Sequence, residues 1–442
     1  MSKYIIDGGQ PLKGEVSIRG AKNAAFKEII ASLLSAKPTI LTNIPQISDV
    51  RITESIAKSL GSQITYIGEH SLQICTPLIK NTTIPQGTGD KSRTSFIFTG
   101  PLLARKGKIT FHLPGGDRLG ERPLDRLFDC LKLMNVKIAI SGSRVRLSTD
   151  KLVGTNYTFP KSSHTSTEVI IMVACLAHGD TIINNAAQEP EIDDLISMLN
   201  SMGASISRDV QNPTIIRIHG VSRLAGTRHQ VICDRNEAVT FACASLATKG
   251  RINILRIIPK TISAFLKTIQ KMGARVIIGD DEVGIEWVCP LKYVSVTTEP
   301  EPGFMTDWQA IFSVVLSQAV GSSTIIERVF PSRFQHIAIL NLMGAKTQFF
   351  NPKVKSPADY YFFNQESDRP DFFHGVKIFG PTKLKPSSIE VNDLRAGACA
   401  TLAALTAPGR SVINHVELIN RGYEQLGERL VSLGAHIQYI KT

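Results

Sequence analysis

Apolar positions along this chain alternate between two patterns. In TEVIIMVACLAHG, residues 167–179, they run almost unbroken; in EPEIDDLISMLNSMG, residues 189–203, Ile192, Leu195, Ile196, Leu199 and Met202 stand at i, i+3, i+4, i+7 and i+10. The first pattern predicts a helix buried all round, the second an amphipathic helix with one apolar stripe. DTIINNA, from Asp180, predicts a strand between them. The stripe returns at Leu124, Leu127, Phe128, Leu131 and Met134, and again at Tyr423, Leu426, Leu430 and Leu433. Glycine after the stripe predicts a left-handed helix end, from which the next strand begins.

The same order recurs through the chain. Six tails read LGSQI (from Leu60), MNVKI (Met134), MGASI (Met202), MGARV (Met272), MGAKT (Met343) and LGAHI (Leu433). Upstream of them, SAKPTIL, ARKGKITF, AHGDTII, ATKGRINI, AVGSSTII and APGRSVI each carry a small-residue helix end into a strand. One unit of about 70 residues therefore repeats six times. That is longer than the repeats a solenoid stacks, so three units closing into each of two domains is the expectation. Apolar helices would lie within, with sheets and amphipathic helices outside: an inverted α/β arrangement. The last interval is longer because residues 349–373, FFNPKVKSPADYYFFNQESDRPDFF, add a polar, aromatic and proline-containing stretch, read as a surface excursion.

Composition narrows the class. Of 442 residues, 43% are hydrophobic and 20% charged, which excludes a disordered chain, and the length favours two domains. The start has no apolar leader-like core and no eighteen apolar residues run together, so a cytoplasmic protein without membrane insertion is expected. Seven cysteines form no CxxC pair, and five lie among apolar residues, which predicts buried, reduced thiols. The net charge of +12 favours anionic partners. Basic residues are dispersed and aromatics make up only 7%, so small phosphorylated anions fit better than nucleic acid.

Charged residues recur where a strand passes into a helix: Lys22, Arg93, Arg122, Arg235, Arg333, Arg395 and Arg421. Helix starts bind anions through free N–H groups, and a guanidinium adds bidentate recognition of phosphate or carboxylate. A single arginine at such a place more commonly makes a surface ion pair. Asp307, in PGFMTDWQA, and Asp393, in VNDLRAG, could each serve as an ordinary N-cap. Asp117 differs, because it follows Pro-Gly-Gly in LPGGDRLGERP, a loop with no helix for it to cap. His164, His229 and His336 lack metal-ligand spacing, and no Walker A, GxGxxG or GxSxG pattern occurs, so neither metal nor cofactor is expected.

Together, LKGEVSIRGAKNAA, GPLLARKGK, LPGGDRLGERPLD, NAAQEPEIDDL, GVSRLAGTRHQVICDRNEA, PGFMTDWQA, SRFQH, NDLRAGA and RGYEQLGERLVSLGA resemble the UDP-N-acetylglucosamine enolpyruvyl transferases, relatives of the 3-phosphoshikimate enolpyruvyl transferases. The resemblance implies a two-domain inside-out α/β barrel. Residues 1–21 plus 232–442 would form the catalytic domain, and residues 22–231 the second, carrying a mobile loop, 112–122, that closes over ligands in a cleft. The activity implied is transfer of the enolpyruvyl group of phosphoenolpyruvate to the 3-hydroxyl of UDP-N-acetylglucosamine, the first committed step of peptidoglycan precursor synthesis. By the same resemblance, Lys22, Arg93, Arg122 and Arg421 hold phosphoenolpyruvate, with Arg333 and Arg395 in the same cationic shell. Asn23 and Asp307 contact the sugar hydroxyl, and Val329 and Asp393 also belong to the substrate site. The uridine diphosphate lies along Arg122, Pro123, Leu124, Asp125, Arg126 and Leu127, and along Lys161, Ser163, His164 and Thr165.

The chemistry asks for a base, Asp307, to take the hydroxyl proton, and an acid, Asp117, to protonate the methylene of phosphoenolpyruvate. Lys22 and Arg421 would act with them. Most members carry cysteine where Asp117 stands, and that thiol is the attachment point of fosfomycin. An aspartate is a poor nucleophile toward an epoxide, so insensitivity to fosfomycin is implied.

Three departures bear on nucleotide affinity and sugar preference. KNAAFKE replaces the usual KNAALP, SHTST (163–167) replaces SVGAT, and Arg126 stands where histidine is common, a cation that could serve a phosphate. Transfer to 3-phosphoshikimate or to a different UDP-sugar, and a non-catalytic UDP-sugar-binding paralogue, are the competing readings. The joint presence of Lys22, Arg122, Asp307 and Arg421 speaks against the last.

Overall fold

The computed structural model describes residues 2–85, 87, 93–113 and 124–441, with the Arg93 side chain left out. Among them the chain forms two compact units, one from residues 2–19 together with 233–441, the other from the described residues of 20–113 together with 124–232. Each unit contains three small sheets and its own hydrophobic core.

The six repeats are present as the sequence pattern predicts. Each carries a buried helix, in order Lys22–Ala31, Thr99–Lys106, His164–Ala174, Arg235–Ala247, Gln309–Gln318 and Leu394–Thr406. Each also carries a second helix: Ser48–Ser59, Asp125–Leu133, Pro190–Ser201, Ser263–Met272, Gln335–Leu342 and Leu426–Ser432. All thirteen residues of Arg235–Ala247 are buried: the apolar and small residues from Ala238 on pack all round, and the opening charges are ion-paired, Arg235 with Glu301 and Glu237 with Arg429. In the second helices the stripe faces inward: Ile192, Leu195, Leu199 and Met202 are all at most 1% exposed. Glycines 61, 203, 273, 344 and 434 end five of these helices at positive φ, and Asn135 does so in MNVKI at φ 66°. Asparagine is the next best residue there, because its short polar side chain tolerates the left-handed region.

Sheet pairing closes each unit on itself. In the unit of residues 20–232, Asn156–Thr158 pairs in parallel with Asp180–Asn184, and Arg228–Gln230 returns to pair with Thr39–Thr42 near the start. In the other unit Ser2–Gly8 lies between the strands Gly409–Asn414 and His436–Lys441, and Lys13–Ser17 pairs in parallel with Arg251–Leu255. The chain start thus supplies strands to two sheets of the later repeats.

The excursion after Phe350 lies at the surface as expected, with most of its residues exposed or half-buried, and a few contacts hold it down: Tyr361 and Phe363 are buried, their rings stack at 4.8 Å, and Arg328 lies 4.4 Å above the Tyr360 ring while its Nε donates to the Tyr360 carbonyl at 2.8 Å. One expectation is corrected. The seven cysteines are all free, but only Cys130, Cys175, Cys243 and Cys399 are buried, and Cys289 is exposed. No helix among the described residues is long and apolar enough to cross a membrane.

Candidate active site

In the unit that contains residues 233–441, Asp307 sits in a 3-10 turn, Thr306–Trp308, leading into helix Gln309–Gln318. Its neighbours Thr306 and Trp308 are buried, and Trp308 is pinned by its indole N–H donating to Asn236 Oδ1 at 3.0 Å. Anchoring on both sides fixes the direction of the aspartate between them. Its carboxylate accepts from two guanidinium groups, Arg333 Nη2 on Oδ1 and Arg395 Nη2 on Oδ2, the latter at 2.9 Å. Asp393, by contrast, is the N-cap of helix Leu394–Thr406, its Oδ1 accepting from the backbone N–H groups of Arg395 and Ala396 at 2.8 and 2.9 Å.

The two arginines are held by further contacts. Arg395 also donates to Tyr423 Oη at 3.0 Å, and Tyr423 in turn contacts Thr240 Oγ1 at 2.7 Å. Burial alone would weaken the cationic form of Arg395, but the Asp307 carboxylate more than offsets this and raises its pKa above the ordinary value. Arg333 lies 5.4 Å from the Phe330 ring centroid. Arg421 ends the 3-10 segment Val416–Arg421.

Glu327 organises this corner. Its buried carboxylate accepts from Val329 and Phe330 N–H at 2.7 and 2.9 Å, from Thr306 Oγ1 at 2.8 Å, and from Gln309 Nε2. Burial raises its pKa and the hydrogen bonds oppose that rise. One buried acid therefore ties the Asp307 turn to the segment that delivers Val329 and Arg333. The sequence reading missed it; the available signal was a charged residue closing the otherwise uncharged strand Gly321–Ile326. Arg235, among the recurring cations, is buried and paired with Glu301.

In the unit of residues 20–232, Lys22 opens helix Lys22–Ala31 and pairs with Asp49 at 2.6 Å, with Asn23 beside it on the first turn. Asp125 opens the helix that runs to Leu133. Leu124 and Leu127 are buried in the core, which leaves their backbone rather than their side chains for a ligand. Arg126 Nη1 reaches the carbonyls of Lys161 and Ser162, both at 3.3 Å, and so braces the segment holding Lys161, Ser163 and Thr165. Burial lowers the pKa of Arg126. Asp117, Arg122 and Pro123, and the side chain of Arg93, lie outside the described residues.

Two of the sequence departures prove to be one feature. Lys27, from KNAAFKE, is buried and pairs with Glu168, and its Nζ lies 3.1 Å from His164 Nε2 in SHTST. That same ring nitrogen is 3.1 Å from Glu168 Oε1. Burial would lower the pKa of His164, and the Glu168 charge reverses this, leaving it raised. His164 thus belongs to a buried charge cluster at the start of helix His164–Ala174.

Comparison with known proteins is consistent along the whole chain. The family model for EPSP synthase (3-phosphoshikimate 1-carboxyvinyltransferase) matches residues 6–430. UDP-N-acetylglucosamine 1-carboxyvinyltransferase 1 of Streptococcus agalactiae is 35% identical over 443 residues, covering 100% of both chains. UDP-N-acetylglucosamine 1-carboxyvinyltransferase 2 of Carboxydothermus hydrogenoformans is 36% identical, again over 100% of both. Among solved structures, the enolpyruvyl transferase NikO of Streptomyces tendae superposes with a TM-score of 0.85 at 22% identity, covering 100% of this chain and 99% of that one. EPSP synthase of Acinetobacter baumannii gives 0.74 at 19%, with 100% of both covered. These last two establish the enolpyruvyl transferase fold, and the full-length identities go further: the chain belongs to the UDP-N-acetylglucosamine 1-carboxyvinyltransferases, within the EPSP synthase family.

Proposed function

We propose that this chain transfers the enolpyruvyl group of phosphoenolpyruvate to the 3-hydroxyl of UDP-N-acetylglucosamine, releasing phosphate, in the cytoplasm, as the first committed step of peptidoglycan precursor synthesis. The observation that carries the reading is the Asp307 carboxylate held between Arg333 and Arg395, in a chain of this family. A carboxylate fixed by two cations is an acceptor-only anion with a set direction. It takes the proton of the sugar hydroxyl as the oxygen attacks C2 of phosphoenolpyruvate.

That carbon becomes electrophilic when the methylene is protonated, and Asp117 is the donor we assign. The C–O bond then forms, giving an intermediate that still carries phosphate. The new methyl group then returns one proton to the Asp117 carboxylate, and phosphate departs with the proton held by Asp307, which restores the double bond and both acids' starting states. Lys22, Arg93, Arg122 and Arg421 hold phosphoenolpyruvate and stabilise the departing phosphate. Asn23 contacts the acceptor hydroxyl. Arg126 braces the segment containing Lys161, Ser163 and Thr165, which contacts the diphosphate.

The loop acid is tested with fosfomycin. After preincubation with the drug, the wild-type chain is expected to release phosphate at its untreated rate when given phosphoenolpyruvate and UDP-N-acetylglucosamine. The Asp117→Cys variant should lose activity with time and gain the mass of one fosfomycin. Time-dependent loss in the wild-type chain, with a covalent adduct on Asp117, would overturn the assignment.

A further inference from the structure

Helix Lys22–Ala31 buries two adjacent charges, and they are compensated differently. Lys27 points to Glu168. Glu28 is 0% exposed; among the described residues no hydrogen bond of 3.5 Å or less reaches its carboxylate oxygens, and its ion-pair contact with His229 is longer, at 3.6 Å. A carboxylate taken out of water without hydrogen bonds is costly unless a cation compensates it. Two other groups converge on it within the same unit. His229, on strand Arg228–Gln230, places Nε2 3.6 Å from Glu28 Oε1 and 3.0 Å from Asp194 Oδ1. Asp194 is fixed in turn, since its Oδ2 accepts from the Ile232 N–H at 2.8 Å.

We propose that Glu28, Asp194 and His229 form a binding site for a divalent first-row transition-metal ion of the Zn(II) class. The three ligand atoms lie within 4.8 Å of one another. Metal–ligand bonds of about 2.0–2.2 Å put neighbouring ligand atoms roughly 3–3.6 Å apart, the range already spanned by the two His229 contacts. The third edge, between the Glu28 and Asp194 carboxylates, lies within 4.8 Å and would shorten as an ion drew the three groups together. One imidazole nitrogen with two carboxylate oxygens suits such an ion, and two carboxylates with a neutral histidine balance its charge. The Ile232 N–H supplies the outer hydrogen bond that orients a ligating carboxylate.

Burial and the Asp194 charge push Glu28 up to about 8. Burial alone would lower His229, but the hydrogen bond to Asp194 and the Glu28 carboxylate more than offset it and raise it to about 10.

The site is independent of the transferase reading, and its test does not use activity. The full-length protein is stripped with a chelator, loaded with Zn(II) alone, passed through a desalting column and assayed for metal. A parallel sample is loaded with Co(II) and its visible spectrum recorded. The expected result is one retained equivalent of zinc and Co(II) d–d bands without thiolate charge transfer, with Glu28→Gln and His229→Gln each binding at least about tenfold more weakly. No retained metal, thiolate charge-transfer bands that place the ion on cysteine, or undiminished binding in folded variants would overturn the proposal. Should either variant fail to fold, the wild-type stoichiometry and cobalt spectrum decide the matter.

Discussion

Substituting Asp307 by asparagine should lower kcat by about a hundred- to ten-thousand-fold, the usual worth of a positioned general base, with little change in KM. Asparagine keeps the shape and one acceptor oxygen, so the Arg395 and Arg333 contacts are altered rather than emptied. What is lost is the ability to take a proton as the hydroxyl attacks. Steady-state phosphate release, with a thermal melt to confirm folding, separates this from collapse of the corner. A kcat within a few-fold of wild type would remove Asp307 from the role of base and leave it as an anchor for the two arginines.

The largest expected effect on stability lies in the other unit. Lys27→Ala strands Glu168, whose side chain is 0% exposed, and breaking a buried pair in this way costs about 3–5 kcal/mol. His164 compensates in part, since it already contacts Glu168 at 3.1 Å and carries a raised pKa. Replacing both charges, Lys27→Met with Glu168→Gln, should recover most of the loss, because an uncharged pair of similar volume removes the stranded anion. Thermal melts of Lys27→Met, of Glu168→Gln and of the double variant provide the comparison. A double variant as unstable as the sum of the singles would show that the two charges do not interact.

Much of this fold was legible in the sequence, and its limits follow from sequence separation. The helix stripes and their glycine ends are local signals, written within about 15 residues. Asn135 in place of glycine kept the pattern because it meets the same backbone requirement. Asp393 reads correctly as a cap for the same reason: its partners are two and three residues away.

Asp307 could not be separated from a cap on local grounds. Its two arginines stand 26 and 88 positions along the chain, and only the folded unit brings them together. Lys27 and His164 were visible as departures from a family pattern, but their joining across 137 positions was not. The convergence of His229 with Glu28 and Asp194 was likewise not legible, since the three belong to distant segments. The excursion after Phe350 reads as surface from its polar residues and prolines, while the contacts that hold it, among Tyr361, Phe363 and the half-buried ring of Tyr360, are not legible in its composition.

The most direct test of the account is acceptor-dependent phosphate release. Purified protein is given phosphoenolpyruvate with UDP-N-acetylglucosamine, with 3-phosphoshikimate, or with no acceptor, and both inorganic phosphate and acceptor mass are followed. Release is expected only with UDP-N-acetylglucosamine, matched mole for mole by an acceptor carrying one added enolpyruvyl group. Release with 3-phosphoshikimate instead, or with neither acceptor, would contradict it.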